Sequence, residues 1–591
     1  METAEKLITE NLNVWTSVIK IKSSAGRGSG KKRELYGVGK LRGLILELAV
    51  NGMLVPQNSN DEPAEHLLKR IVAIRNTQIA EGKIKKPAVR QGKFFPPQTR
   101  RPKSWESTTL GTIGDWGSGS TPKRDNPGYY GGDITWLKSG ELNDCETVAS
   151  SSETITDEAL ASGSFRRNQS SDVLIAMYGA TIGKVAILAE PAVTNQAVCG
   201  CTPFDGVFNR YLFFFLLSQR SNFHAASEGG AQPNISKVKL LGYPFAIPPL
   251  AEQHRIVAKV DELMALCDQL EQEQTRSLDT HDTLVATLLG ALTTATADAS
   301  QFAEAWQRIH ANFDTLFTTE SSIDQLKQAI LQLAVMGKLV EQDPADEAAA
   351  TTLERIATQR AELIKAGDLK NRKLLPPISK DEEPSKLPDP WQWCRLDVLI
   401  TDMDAGWSPA CPPTPSPSHD IWGVLKTTAV QVMEYREIEN KVLDGGKSPR
   451  PQYEVRSGDI LITRAGPKNR VGISCLVENT RPRLMISDKI IRFHLVEVGI
   501  SERFISLCLN AGPTWDYLEN AKSGMAKSQM NISQGKLRAA PIPLAPLDEQ
   551  HRIVAKVDEL MTLCDQLKAS LATAQATQLN LADSLVEQAI G

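Results

Sequence analysis

Two histidines, His254 and His551, stand in the same tetrapeptide, Glu-Gln-His-Arg, and are the first candidates for acid–base chemistry. An imidazole titrates near neutrality, but as a catalytic base it needs a nucleophile or a metal beside it. No Ser or Cys stands at a matching position near either copy, and both histidines fall where a helix is expected to begin. Capping, or packing against a partner, is the role that placement favours. Nine cysteines are scattered without a CxxC pair, only Cys199 and Cys201 lie close together, and no Cys/His spacing fits a four-ligand zinc site. Ala25-Gly-Arg-Gly-Ser-Gly-Lys-Lys32 has the look of a phosphate-binding loop. It lacks the Ser or Thr after lysine that would reach Mg²⁺, and no βαβ pattern surrounds it, so a flexible basic linker is the reading. Gly117-Ser-Gly119 belongs to a turn. Catalysis finds no foothold here.

Binding fares better. The net charge is −4, yet residues 83–103 hold Lys83, Lys85, Lys86, Arg90, Lys93, Arg100, Arg101 and Lys103 with no acidic residue. Residues 441–492 hold eleven Lys or Arg against five Asp or Glu. Local basic stretches in a near-neutral chain supply a phosphate-facing surface, or else a solvated loop. At 591 residues with 41% hydrophobic and 23% charged residues, the chain has the composition of a soluble protein of several domains. The longest apolar run, Tyr211 to Leu217, suits a buried strand or short helix and is far short of a membrane span. The N-terminus lacks the order of a signal peptide, and the cysteine usage suits a reducing compartment, so a cytoplasmic location is expected.

The elements that must position any binding residues come in duplicate. Glu252 to Met264, EQHRIVAKVDELM, recurs unchanged at Glu549 to Met561, and Asn234-Ile-Ser236 recurs at Asn531-Ile-Ser533 with the same offset. Leu48-Ala-Val-Asn-Gly-Met-Leu-Val55 returns as Leu333-Ala-Val-Met-Gly-Lys-Leu-Val340. Two copies of one unit of nearly 300 residues follow, each running helix, basic linker, variable block, helix. In the repeated helices Ile256, Val260, Leu263, Cys267 and Leu270, and in the copy Ile553, Val557, Leu560 and Leu567, form a heptad seam that favours helix pairing or partner docking. The identity of Lys259, Asp261 and Glu262 with their copies fits partner binding or a recent duplication. The variable blocks hardly resemble each other, but both read as β-rich. Asp172 to Tyr178, then a glycine turn, then Lys184 to Leu188 gives strand, turn, strand; Gly458 to Arg464 and Val471 to Cys475 repeat that shape. Matched frames with divergent heads would meet one kind of partner twice and recognise two different things.

These features resemble the specificity subunits of type I restriction-modification systems, in the subgroup with an extended N-terminal conserved region. The resemblance rests on IPPLAEQHRIVAKVDEL at 247–263, PLAPLDEQHRIVAKVDEL at 543–560, GVGKLRGLILELAVNGMLV at 37–55 and the hairpin DVLIAMYGATIGKVAIL at 172–188. It implies an α+β fold with two mixed, β-rich target recognition domains separated by two antiparallel coiled-coil helical regions, in a quasi-twofold internal repeat. The implied segments are a helical region and basic linker (1–104), a first recognition domain (105–249), a central helical spacer and linker (250–390), a second recognition domain (391–546) and a C-terminal helix (547–591) that pairs with the N-terminal helices. A strut of about 38 residues would be roughly 57 Å long. The family implies a non-catalytic subunit in which each head reads one half of a split site on double-stranded DNA. Two adenine-methyltransferase subunits dock on the frame, and restriction-translocase subunits join them. S-adenosylmethionine, ATP and Mg²⁺ are expected on those partners and no cofactor or metal on this chain.

Base edges are read by Arg, Lys, Asn and Gln on loops that fit a groove, and phosphates by Lys, Arg, hydroxyls and backbone N–H groups. In the first head the candidates are Tyr178 and Thr181, which match the family hairpin, with Lys184, Asn195, Gln196, Gln232 and Asn234 by loop placement. In the second they are Arg464, Lys468, Asn469 and Arg470, with Lys489 and the loop Lys527, Ser528 and Gln529. There RAGPKNRVG stands where the family has YGATIGKVG, which leaves that alignment open. The first head carries ten basic against fourteen acidic residues, so no simple electrostatic footprint marks it. Two other readings are a scaffold with protein-binding heads and a stand-alone methyltransferase or nuclease. The second lacks a cofactor-binding glycine motif and an Asn-Pro-Pro-Tyr type motif.

Overall fold

The computed structural model describes residues 8–23, 31–88, 101–228, 233–293 and 299–590. The glycine-rich stretch 25–30, Gln232, Arg90, Lys93 and Arg100 lie outside the described residues. The chain divides into two compact units, one of residues 1–277 with 574–591, the other of residues 278–573.

In the first unit, helices α1 (Tyr36–Val50) and α2 (Ala64–Ala80) precede the head. Leu41, Leu44, Ile45 and Leu48 of α1 are buried at helical spacing. The head opens with β1 (Glu106–Thr109), β2 (Gly114–Ser118), β3 (Tyr130–Leu137), β4 (Cys145–Val148) and β5 (Thr154–Ile155), and continues with β6 (Val173–Ala176), β7 (Val185–Leu188), β8 (Val193–Thr194) and β9 (Val198–Pro203). Helix α3 (Asn209–Ser218) and strand β10 (Pro244–Ile247) lead into helix α4 (Leu250–Thr293). The main sheet has the order β2-β9-β6-β7-β4, a second sheet β8-β3-β5, and β1 pairs with β10. The apolar run from Tyr211 lies in α3, where six consecutive residues are buried.

In the second unit, α5 (Ala299–Ala311), α6 (Glu320–Val335) and α7 (Ala349–Ala366) precede the head. The head's strands include β11 (Gln392–Arg395), β12 (Ile400–Ala405), β13 (Gly423–Leu425), β14 (Asn440–Val442), β15 (Ile460–Thr463), β16 (Ala465–Gly466), β17 (Ser474–Leu476), β18 (Leu484–Met485), β19 (Ile490–Leu495), β20 (Ser523–Ala526), β21 (Gln529–Asn531) and β22 (Pro541–Leu544), besides a two-residue ribbon of Val430–Gln431 with Glu434–Tyr435. Helix α8 (Glu502–Asn510) follows β19, and α9 (Leu547–Ile590) ends the chain. The main sheet runs β12-β19-β15-β17, the second β14-β13-β18, and β11 pairs with β22.

The two heads therefore share a core topology although their sequences barely match; the first adds β4, parallel to β7, at the edge of its main sheet. In each, a long strand pairs antiparallel with two others (β9 with β2 and β6, β19 with β12 and β15), and one short parallel pair, β8 with β3 or β18 with β13, closes the second sheet. A β-fold asks only for alternating burial and turn signals, so divergent side chains rebuild it.

The repeated glycine of the frame has a conformational reason. Gly52 and Gly337 end α1 and α6 at positive φ (71° and 66°), where a left-handed residue lets Met53 and Lys338 donate back to Leu48 and Leu333 at 2.9 and 3.0 Å. A Cβ there would stand 2.4 Å from Pro102 or 2.6 Å from Pro388. Backbone and space both exclude any other residue.

Both struts are 44 residues long, about 66 Å at 1.5 Å per residue, and exceed the sequence estimate by nearly two turns. Each serves both units. The first part of α4 lies beside α1, where Arg42 bridges Asp268 at 2.6 Å and Glu271 at 3.0 Å. Its later residues Val285, Leu289 and Leu292 join the core of the second unit. The first part of α9 packs on α6, with Lys327 paired to Asp565 and Lys568 to Asp324. The resemblance set the whole C-terminal helix against the N-terminal helices. Only its last turns do this, with Asp583 bonded to Tyr36 at 3.1 Å and Lys40 at 2.7 Å. Buried apolar positions fall in its first part, at Ile553, Val557 and Cys564, and again near its end at Ala582, so the helix has two successive partners rather than one.

Candidate nucleic-acid interface

In the first head three loops meet at one end of the main sheet. The turn after β6 starts at Tyr178, passes through Gly179 and Gly183, both at positive φ, and is tied by the Thr181 hydroxyl donating to the Tyr178 carbonyl at 2.8 Å. Met177 donates to Ala197 at 2.8 Å, which brings in the Asn195–Gln196 turn. Ile235 donates to Met177 at 3.0 Å and Gly179 to Pro233 at 2.8 Å, which brings in Asn234. Tyr178, Gln196 and Asn234 are exposed there; Tyr178 shows 42% of its surface. Asn195 accepts from the Ala197 amide at 3.2 Å, a turn-forming bond that occupies its side-chain oxygen. Lys184 is half-buried and starts the return strand rather than the tip. Gln232, in the sequence between Glu228 and Asn234, lies outside the described residues.

The second head builds the same end with a different register. Arg464 donates to Lys489 at 2.8 Å and accepts from Ile532 at 2.8 Å, the bonds that Met177 makes with Ala197 and Ile235. Gly472, like Gly183, donates back into the first strand. Arg464 therefore corresponds to Met177, one residue before Tyr178, and the turn is two residues longer. The alignment of RAGPKNRVG on YGATIGKVG is corrected accordingly. The extra length carries a further small sheet, β16-β21-β20, so that Lys468 donates to the Lys527 carbonyl at 2.8 Å. Lys468, Asn469, Lys489, Lys527, Ser528 and Gln529 are exposed on this end. Lys527 and Ser528 form the tip of a two-stranded ribbon, a shape that a major groove admits.

Arg470 does something else. Its two terminal nitrogens donate to Gln431 at 3.0 Å and to the carbonyls of Thr427 and Val430 at 2.9 Å, so the guanidinium is turned into the head. Other cations of the basic 441–492 stretch are spent likewise: Lys447 on the Ala410 carbonyl, Arg450 over the Trp407 ring at 4.2 Å, Arg492 on Asp404. Charge counting by window overstated the free positive surface. It also missed Ser408 and Asp488, which bond to each other beside Lys489. Eighty residues of sequence separate that pair, and no local signal joins them.

The helix seam is used within the chain. Ile256, Val260, Leu263, Ile553 and Val557 are buried, while Leu270, Leu560 and Leu567 are half-buried. The repeated polar residues are equally committed. Asp261 pairs with Arg210 and Asp558 with Arg503, at 2.7 and 2.6 Å; Lys259 and Lys556 bond to Glu262 and Glu559 at 2.9 Å. Sequence identity there reflects intramolecular pairing first. His254 stacks on Phe208 at 4.2 Å between ring centres, a packing role. Among the described residues no group of three or more His, Cys, Asp or Glu is placed to hold a metal, and no helix is long and apolar enough to cross a membrane.

Residues 102–279 match the family model described as "Type I restriction modification DNA specificity domain". Over 99% of both chains the protein is 48% identical to the type I restriction enzyme EcoEI specificity subunit of Escherichia coli. The chain belongs to the type I restriction enzyme specificity subunits. A second specificity subunit, that of EcoAI from Escherichia coli, is 35% identical over the full length of both chains. The crystal structure of the HsdS subunit from Thermoanaerobacter tengcongensis is 18% identical, with a TM-score of 0.36 over 83% of this chain and 97% of that one.

This specificity subunit carries a partly buried ionic cluster on the main sheet of its second head, at the strand ends away from the Arg464 and Lys489 loops. His494 on β19 lies between Asp402, at 2.8 Å, and Asp459, at 2.6 Å, and Arg492 spans Asp404 and Asp459. The hydrogen bonds to Asp402 and then Asp459 outweigh burial and raise the imidazole pKa from 6.5 to about 9. The charged form is thus favoured by folding, so its contribution is full below pH 6.5 and is lost as the pH rises through about 9. The unfolding temperature of the second head is expected to fall across that window, and His494→Asn to flatten the fall. Equal pH slopes for the two proteins in scanning calorimetry would refute this.

Proposed function

We propose that the two loop clusters are the DNA-reading surfaces of this specificity subunit, each reading one half of a split duplex site. The carrying observation is that one three-loop arrangement is built twice, on equivalent backbone hydrogen bonds, with different exposed side chains. Tyr178, Thr181, Gln196 and Asn234 serve the first half-site, and Lys468, Asn469, Lys489, Lys527, Ser528 and Gln529 the second. Arg464, Lys184 and Asn195 shape the loops, and Arg470 holds the second head's turn from inside. Gln232 remains a candidate on sequence grounds. The duplicated frames, made of α1, α2 and the start of α4 and of α6, α7 and the start of α9, supply two similar surfaces for two adenine-methyltransferase subunits in a cytoplasmic complex. Restriction-translocase subunits join through those. S-adenosylmethionine, ATP and Mg²⁺ belong to the partners.

The test is co-expression with the modification subunit encoded beside it, followed by single-molecule sequencing of the host DNA for methyl-adenine. A split motif, methylated on opposite strands in its two halves and lost on deletion of this gene, is the expected result. Unchanged methylation with a demonstrably assembled complex would overturn the proposal and favour heads that bind protein.

A further inference from the structure

The duplicated helix start does more than join segments. Within ten residues of α4, four side chains grip two different bodies. Glu252 accepts from the Trp105 indole at 3.0 Å and from Gln57 at 2.5 Å, and Arg255 forks onto Asp61 at 2.5 and 3.1 Å; these partners belong to the frame and its junction with the head. Gln253 accepts from the Phe208 amide at 2.8 Å, at the N-terminus of the head helix α3, and Asp261 forks onto Arg210 of that helix at 2.7 Å. Arg210 reaches on to Glu146 in the head's sheet at 2.5 Å.

The second unit repeats the set, with the outer carboxylate drawn from a different element, just after β17. Glu549 accepts from Trp391 at 2.9 Å and from Gln342 at 2.5 Å, and Arg552 forks onto Asp346 at 2.6 and 3.1 Å. Gln550 accepts from the Ser501 amide at 3.1 Å, Asp558 takes Arg503 at 2.6 Å, and Arg503 continues to Glu478 at 2.7 Å.

We infer that the pairs Arg210–Asp261 and Arg503–Asp558 are positioning residues that fix the angle of each head on its helix, and so set the one spacing of half-sites that the subunit accepts. This rests on the split-site reading above. Three observations carry it. Both ends of each pair sit on rigid helices. The arginine extends the grip from helix to head sheet. The pairs are partly exposed, with side chains 29% and 39% accessible for Arg210 and Asp261, so their worth to stability is small and does not by itself account for their repetition. DNA makes an angular stop informative. Half-site faces repeat every 10–10.5 base pairs, so one added pair turns a half-site by about 35°. A head held by the fork is braced against that rotation, and without it only the Gln253 or Gln550 bond of this set still ties the head to the helix.

The experiment uses the full complex with the modification subunit. A plasmid library carries the two half-motifs mapped for the wild type at the native spacing and at spacings one and two base pairs longer or shorter. Single-molecule sequencing reads methyl-adenine at each spacing. In Asp261→Ala/Asp558→Ala the ratio of neighbouring to native spacing is expected to rise about tenfold, the effect of roughly 1.4 kcal/mol of lost discrimination. Asp261→Glu, which keeps the carboxylate and leaves Arg210 and Glu146 in place, is expected to keep the wild-type ratio. Asp261→Asn, which preserves side-chain size, gives the same readout if the double variant does not accumulate. An unchanged ratio in the alanine or asparagine variants, whatever the total methylation, would overturn the inference and leave the pairs as structural links. A wild type with no split motif would instead fail the split-site reading, and the inference with it.

Discussion

Replacement of Lys468, Lys489 and Lys527 together by alanine is expected to abolish methylation at the second half-site while leaving the protein folded. The three stand on one end of the second head, joined by backbone hydrogen bonds that do not depend on their side chains, and all three are exposed. Their removal opens no cavity. Only Lys468 has an acidic neighbour at ion-pair distance among the described contacts, Glu519 at 3.6 Å. Each lysine that neutralises a phosphate contributes about 0.9 to the slope of log affinity against log salt. Loss of a hydrogen bond to a charged group weakens binding about tenfold or more for each contact. The check is a salt titration of duplex binding by the assembled complex. A slope unchanged in the triple variant would remove these residues from the interface. Arg470→Ala is the contrasting case. Its donors serve Gln431, Thr427 and Val430, so a lower unfolding temperature with the salt slope intact is expected.

The largest loss of stability is expected from Asp459→Ala. Asp459 is 1% exposed and accepts from the Arg456 amide at 2.9 Å, His494 at 2.6 Å and Arg492 at 3.5 Å. The variant strips the carboxylate that a buried guanidinium and an imidazolium share, leaving Arg492 on Asp404 and His494 on the exposed Asp402, a defect that costs about 3 kcal/mol. Calorimetry should show the second head's transition displaced to low temperature and the first head's unmoved. Asp402→Ala, which removes an exposed partner of the same histidine, should cost much less. Equal losses for the two variants would mean that burial of Asp459 has no bearing on the cluster. The first head solves the same problem with other residues: Asp172 is equally buried, receives the Gln169 amide at 2.9 Å, and its cation is Arg166, brought from a loop rather than from the strand. Two heads whose sequences barely match have a buried aspartate at the start of the same strand.

Much of the architecture was legible because it is local or periodic. The duplicated motifs stated that one unit occurs twice. The four-three spacing of Ile256, Val260, Leu263 and Cys267 marked a buried helix face, and the β6–β7 and β15–β17 hairpins followed from short apolar runs closed by glycine turns. Resemblance to the specificity subunits rested on those same runs. What sequence could not supply lies between residues far apart in the chain. Tyr178 meets Asn234 through a bridge across the head, and Arg464 meets Lys489 through a strand pairing whose register is set by which side chains must be buried. His494 finds Asp402 at 92 residues' separation. Arg470 looked like a base reader because it is an arginine in a turn, and only the neighbouring carbonyls show where its donors go. Polar residues carry no periodicity that reveals their partners; a charge is free or spent according to what the fold places within about 3 Å of it. Sequence thus determined that there are two heads on two like frames, while the tertiary structure decided which side chains of each head still face outward to be used.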